Sequence, residues 1–361
     1  MSNTHPAAAP PAPALPSAQV SQRWFGSTPI RPLPDGGLIN QTFVVGAPSI
    51  AALQWLNPIF PAAVNHDIDA VTSHLASQGL ITPRVLRTQD GELWVDDPGG
   101  GCWRVLSWVP GRTVHRVDSA ALAYAAGSTL GRFHNALHSW DPVRVAPVRQ
   151  IHDTQARMDE LESALRSSHD HPLFASVEPV AAEVLERWST WAGSTTLPQR
   201  TCHGDPKISN IRFSTGDDTG ICMIDLDTVG PQSLDCELGD AWRSWCNPAG
   251  EDDPDAARVD LERFAASAAG FLDHAPTLHP DEASALVGGL ERICLELAAR
   301  FARDALLNSY FKEDRQRFPA VGAHNLHRAQ GQLVLARDAR AQRRACDRIF
   351  QEALAQSTGR R

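Results

Sequence analysis

Up to about residue 110 the apolar positions fall in short runs and alternations, and beyond it they recur mostly three and four residues apart. The two spacings predict a strand-rich segment followed by a helical one. In the first, strands are expected over 38–45, after Pro34-Asp35-Gly36-Gly37, and over a partner at 51–56, then over 84–86, 92–95 and 103–109. Val64, Ile68, Val71 and Leu75 mark one amphipathic helix among them. The strand at 103–109 closes on Pro110-Gly111, which suits a hinge between lobes. In the second segment Leu122, Ala126, Leu130, Phe133 and Leu137 share a helix face, and further helices are expected over 180–191, 256–272 and 283–311. A hairpin interrupts them: Ile211-Arg212-Phe213, turn chemistry from Ser214 to Gly220, and the apolar strand Ile221-Cys222-Met223-Ile224 returning beside it.

That hairpin lies between two polar groups. Ahead of it runs His203-Gly204-Asp205-Pro206-Lys207-Ile208-Ser209-Asn210, and after it Asp225-Leu226-Asp227. In-line phosphoryl transfer from ATP needs a carboxylate to orient and deprotonate the attacking hydroxyl, and oxygen ligands to hold magnesium against the phosphates. The loop offers Asp205 as the base and Asn210 as one metal ligand, and Asp225 offers the other. Lys207 would neutralise charge on the transferred group. A lone His-x-Asp is common by chance, and Asp and Asn often only cap helices or turns. The conjunction of base, Asn, hairpin, Asp225 and a further Asp is what carries the chemistry. Gly36-Gly37 could lay backbone amides on phosphates, although such a pair is also an ordinary hairpin turn. The hinge offers backbone groups to an adenine.

Composition narrows the partners. A chain of 361 residues exceeds one typical domain, so two lobes around a cleft are expected. A net charge of −9 with 21% charged residues gives no basic face for nucleic acid, and no 18-residue apolar run exists to span a bilayer. The seven cysteines are scattered and never in a CxxC pair, which fits reduced thiols in a cytoplasmic protein better than zinc or disulfides. Residues 1–20, rich in Ala and Pro, are expected to be a disordered tail with no signal-peptide pattern. His134, beside the long helical stripe, reads as a packed histidine, His169-Asp170-His171 lacks a third metal ligand, and the ten tryptophans read as core.

These residues resemble the phosphotransferase-type small-molecule kinases, which include aminoglycoside and choline kinases. Within that group the similarity points to the N-acetylhexosamine 1-kinase-like branch. Asp35-Gly36-Gly37-Leu38-Ile39-Asn40-Gln41-Thr42-Phe43 resembles its glycine turn, and Leu53-Gln54-Trp55-Leu56-Asn57 its second strand. Ile224-Asp225-Leu226-Asp227-Thr228 matches its metal segment, Gly239-Asp240 resembles its following helix start, and His324-Asn325-Leu326-x-Arg328 its C-terminal signature. Arg300-Phe301 and Tyr310-Phe311 resemble a helix facing the sugar. The resemblance implies an α+β, protein-kinase-like fold: a five-stranded antiparallel N-lobe with one helix over 21–110, and a larger helical C-lobe over 111–356. It implies ATP and Mg2+ as cofactors, Asp205 as base with Lys207 beside it, and Asn210 and Asp225 on the metal. Gly36, Gly37, Asn40, Thr42 and Gln54 would serve the nucleotide, and Arg300, Asp227 and Asp240 the acceptor. Gln54 stands where an ordinary kinase has its phosphate-binding lysine, as it does in this branch, and Gly204 replaces the branch's usual Asn.

The expected activity is ATP-dependent phosphorylation of a small-molecule hydroxyl, the anomeric hydroxyl of an N-acetylhexosamine or related sugar. One alternative is a kinase for an aminoglycoside or a choline-like amino alcohol, for which the acidic run Glu251-Asp252-Asp253-Pro254-Asp255 would be a wall unless it caps a helix. Another is a nucleotide-binding pseudokinase regulator, against which the complete base and metal set argues.

Overall fold

The computed structural model describes residues 15–33, 39–147, 151–251 and 253–360. Gly36, Gly37 and the expected start of a strand at Leu38 lie outside the described residues. The chain forms two compact units, the first comprising the chain up to Pro110 together with residues 140–147, and the second the remainder.

In the first unit, after helix α1 (Ala18–Gln22), six strands form one antiparallel sheet: β1 (Ile30–Pro32), β2 (Gln41–Val45), β3 (Ala51–Leu56), β4 (Val85–Leu86), β5 (Val95–Asp96) and β6 (Cys102–Ser107). The order is β1-β2-β3-β6-β4, with β5 also on β6, one strand more than the five expected. Alternation along each strand sends Phe43, Val45, Leu53, Trp55, Trp103 and Val105 into one apolar cluster. The register sets Thr42 opposite Gln54 and Gln54 opposite Arg104, so these three share the other face. Helix α2 (Val64–Ser77) carries the expected stripe of Val64, Ile68, Val71 and Leu75, all buried.

Two details depart from the expected boundaries. Ser17 caps α1 by accepting a hydrogen bond from the Val20 amide at 3.2 Å, and Val20 packs into the sheet's cluster with Trp24 and Phe25. Residues 18–20 therefore belong to the folded unit and not to a tail. Trp140 stacks on His74 at 5.0 Å, and Asp67 of α2 accepts from the amides of Val145 and Ala146 at 2.7 and 3.2 Å. These contacts fasten residues 140–147 to α2, so the sequence boundary at 110 is not a single cut.

The second unit contains β7 (Arg112–Thr113), α3 (Ala120–Leu137), α4 (Thr154–Ser167), α5 (Phe174–Ser189), β8 (Gln199–Cys202), β9 (Ile211–Phe213), β10 (Gly220–Met223), β11 (Gly230–Ser233), α6 (Leu234–Trp245), α7 (Leu261–His274), α8 (Pro280–Leu307) and α9 (Ala323–Arg360). The expected hairpin is β9–β10, with β7 beside it, and β8 pairs with β11. Helix α6 begins at Leu234, which puts Gly239-Asp240 mid-helix and not at the expected helix start. A Cβ on Gly239 would collide with the Gly289 carbonyl, so glycines let α6 and α8 pack backbone to backbone. Trp55, Trp103, Trp242 and Trp245 are fully buried, and all seven cysteines are buried free thiols. No helix among the described residues is long and apolar enough to cross a membrane.

Candidate active site

After β8 the chain turns at Gly204, whose φ is +82°; a Cβ there would stand 2.6 Å from the Thr228 carbonyl oxygen. Glycine meets both demands of that turn, positive φ and close approach. Glu237, fully buried on α6, holds the turn: its Oε1 accepts from the His203 amide at 2.8 Å and its Oε2 from the Gly204 amide at 2.9 Å. His134 of α3 lies 3.1 Å from Oε1. Burial pushes the Glu237 carboxyl up, but the hydrogen bond and charge of His134, with His203, bring it below its ordinary value. His203 Nε2 is 2.9 Å from the Ile224 carbonyl oxygen, while Nδ1 accepts from the Asp205 amide at 3.3 Å. Ser244 and Trp245 of α6 bond the backbone of Ile208 and Pro206 at 3.0 and 2.9 Å. The loop is thus pinned at both ends by one helix.

Asp205 Oδ2 lies 2.5 Å from Lys207 Nζ and 3.1 Å from Asn210 Nδ2, which also donates to the Asp205 carbonyl at 2.8 Å. Burial alone would raise the Asp205 pKa; the attraction of Lys207 and its hydrogen bond, helped by His203 and Arg243, hold it below the usual carboxylate value. For Lys207 burial favours loss of the proton, and Asp205 and Asp225 outweigh it, so the ammonium is retained. The Ile224 amide donates to the Asn210 carbonyl at 2.8 Å, which ties the end of the hairpin to the loop. Asp225 then sits in left-handed backbone at φ 63°, ψ 59°. For a non-glycine residue that conformation costs about 1–3 kcal/mol and concentrates at functional sites. Asn210 commits its Nδ2 to Asp205, so its amide oxygen is the atom it offers a cation. The Asn210 amide oxygen and the Asp225 carboxylate are both hard oxygen donors, the type Mg2+ takes.

Asp227 is buried in the short turn after Asp225. Asp240, also buried, accepts from Arg243 Nε at 2.9 Å, and Arg243 reaches Glu251 at 2.5 Å. The positive charge of Arg243 acts on Asp205, so Asp240 is linked to the base through one guanidinium. Two members of the acidic run are engaged within the fold: Glu251 binds Arg243, and Asp253 caps the turn at Pro254–Ala256. Asp252 lies outside the described residues.

Arg300 of α8 covers two rings, 5.5 Å from Tyr310 and 5.4 Å from Phe311. Their loop hangs from Asp304, fully buried, which accepts from the amides of Ser309, Tyr310 and Phe311 at 2.7, 3.0 and 2.7 Å. The C-terminal signature secures the same loop. His324 Nδ1 accepts from the Asp314 amide at 3.0 Å, Asn325 donates to Asp304 at 3.3 Å, and Arg328 donates to the Lys312 carbonyl at 3.0 Å. A pocket of about 390 Å³ is lined by residues 308–313 and Arg315.

In the first unit, Gln54 Nε2 donates to Thr42 Oγ1 at 3.0 Å, and its Oε1 accepts from Arg104 Nε and Nη2 at 3.0 and 2.9 Å. Asn65 of α2 lies 3.3 Å from Arg104 Nη1, and Arg104 is 1% exposed. Positive charge is therefore present here on β6, one strand away from Gln54. Asn40 Oδ1 accepts from the Asn57 amide at 3.0 Å.

The sequence had assigned no role to Glu237, Asp304 or Arg104. His134 is packed as expected, while His169 packs on the Phe174 ring and His171 accepts from the Leu173 amide. Among the described residues, His134, Cys202 and Glu237 are a grouping that could converge on a metal. Its carboxylate is already committed, and burial pushes the Cys202 thiol well up, away from the thiolate a metal needs.

The model of the phosphotransferase enzyme family (APH) matches residues 30–271, more than half of the chain and including the whole His203–Asp225 segment. Among solved structures the chain is similar to an amicoumacin kinase in complex with AMP-PNP, Ca2+ and Ami, at 14% identity, 88% coverage of this chain, 91% of that chain and a TM-score of 0.58. It is similar to an aminoglycoside phosphotransferase from Alicyclobacillus acidocaldarius subsp. acidocaldarius at 16% identity, 93% and 98% coverage and a TM-score of 0.57. A microcompartment-associated aminopropanol kinase matches at 15% identity, 91% and 97% coverage and a TM-score of 0.57. At these identities the likeness is one of fold, the protein-kinase-like pairing of a sheet lobe and a helical lobe. The chain belongs to the phosphotransferase enzyme family, as a small-molecule kinase with a hydroxyl acceptor.

Proposed function

We propose that the protein is an ATP- and Mg2+-dependent sugar kinase acting on the anomeric hydroxyl of an N-acetylhexosamine or related hexose. Asp205 orients and deprotonates that hydroxyl, and Lys207 steadies charge on the transferred phosphoryl group. Asn210 and Asp225 hold Mg2+, which when bound neutralises charge on the phosphates. Asn40, Thr42 and Gln54, with the backbone of Gly36 and Gly37, serve the nucleotide, and the nearby charge of Arg104 favours its phosphates.

The observation that carries the sugar assignment is the arrangement of Arg300 over Tyr310 and Phe311. Rings and hydrogen-bonding side chains suit a neutral, oxygen-rich acceptor. The second reading, a kinase for an amino alcohol or aminoglycoside, is supported by the similarity to an aminoglycoside phosphotransferase and an aminopropanol kinase. A pseudokinase is disfavoured by the presence of Asp205, Asn210 and Asp225 in one connected loop and hairpin.

ATP consumption measured with N-acetylglucosamine, N-acetylgalactosamine, galactose, choline, ethanolamine and kanamycin distinguishes the readings. A sugar kinase should give an acid-labile, non-reducing product whose phosphorus resonance couples to an anomeric proton. Phosphate on a hydroxyl of the amino alcohol or aminoglycoside would replace the first reading by the second.

A further inference from the structure

His152 stands just before α4, with its side chain 3% exposed. Its Nδ1 lies 2.8 Å from Oε1 of the fully buried Glu296, whose other oxygen accepts from Thr154 at 2.7 Å. The carboxylate therefore fixes the ring from one side. On the opposite side Nε2 is buried, and among the described residues it has no hydrogen-bond partner. Buried polar atoms are almost always paired, and exceptions gather where a ligand or water completes them. Charge identifies the surroundings of this one: Asp240 and Arg300, both assigned to the acceptor, act on the imidazole together with Glu296. Burial alone would strip the imidazole of its proton, but Glu296 and Asp240 outweigh it against Arg300, and the pKa lies above the ordinary histidine value.

We propose that His152 is an acceptor-binding residue whose Nε2–H donates to an oxygen of the acceptor beside Asp240 and Arg300. The inference rests on the sugar-kinase reading and adds to it the group that recognises a non-reacting oxygen. A hydroxyl or an acetamido carbonyl can accept this bond; an ammonium cannot, and the cationic ring repels it.

Two isosteres separate the two ring nitrogens, because an Asn amide nitrogen falls near the Nδ1 position and a Gln amide nitrogen near the Nε2 position. With N-acetylglucosamine as the acceptor, His152→Asn should raise the acceptor KM about 10- to 100-fold, with kcat, the ATP KM and Tm little changed. His152→Gln should keep the acceptor KM within a few-fold of wild type. Wild-type acceptor KM in both variants overturns the role of His152 while leaving the sugar kinase intact. So does a fall in Tm in His152→Asn that raises both KM values together, because that marks a scaffold residue. Turnover of ethanolamine, choline or kanamycin but of none of the panel's sugars by the wild-type enzyme overturns the sugar reading and this inference with it.

Discussion

Two loops of the helical unit are hung in the same way and, in the proposed mechanism, carry different parts of the function. The loop at 203–210 is suspended from Glu237, and the loop at 308–314 from Asp304, each a fully buried carboxylate accepting two or more backbone amides. Charge-assisted bonds of this kind are strong, and a buried carboxylate left unpaired is costly, so each loop is held in one conformation. The first loop presents reacting groups, Asp205, Lys207 and Asn210. The second presents Tyr310 and Phe311 beneath Arg300, groups that can recognise but not react. On the proposed roles, one anchoring device fixes the chemistry and another the choice of acceptor.

Four substitutions probe that division, beginning with the largest expected effect. Asp225→Ala removes a proposed metal oxygen beside the first loop, so turnover should become undetectable while the fold persists. Substantial activity in this variant, or in EDTA-treated enzyme, would remove Asp225 from the site. Glu237→Gln withdraws the charge and one acceptor from the pinned turn. It should lower stability by about 1–3 kcal/mol and kcat by more than about 10-fold with a smaller change in acceptor KM. Asp304→Asn, the matching change in the second loop, should show the reverse split: acceptor KM up about 10-fold and kcat within a few-fold. If both anchors shift the same kinetic constant, the loops do not divide the labour.

The last substitution, Lys207→Met, should lower kcat at neutral pH through loss of the charge that steadies the transferred phosphoryl group, and it is also read as a pH profile. Lys207 holds the Asp205 pKa below the ordinary carboxylate value against burial, which favours the ionised base. Without the ammonium, burial prevails and the acid limb of kcat/KM should move upward. The linkage to stability has the same sign. A depressed carboxylate pKa stabilises the fold above its unfolded value, and that contribution disappears as pH falls through the lower folded value. An unmoved acid limb in Lys207→Met would mean that Lys207 does not set the state of Asp205.

The loop and hairpin that carry the proposed reacting residues were legible because phosphoryl-transfer chemistry fixes residue types at fixed spacings, and most strands of the sheet because alternation follows from the pleat. The anchors were not legible for an equally physical reason. Glu237 and Asp304 bind backbone amides, which every residue possesses, so no partner type or spacing marks them in the sequence. Arg104 in mid-strand gave no sign that it would be buried against Gln54 and Asn65. Helix α9 was missed because it packs against α5, α7 and α8 in turn, so its buried positions do not form one stripe. Val20 was hidden by the Ala/Pro composition around it, although a single buried side chain and a Ser17 cap were enough to build α1.

The central claim is that Asp205 is the base of a phosphoryl-transfer site, and Asp205→Asn tests it most directly. Turnover should be compared with affinity for a non-hydrolysable ATP analogue, using the acceptor that the panel identifies. The account predicts a fall in kcat of roughly 10²–10⁴ with analogue affinity and Tm near wild type. Near-wild-type turnover in Asp205→Asn would contradict it.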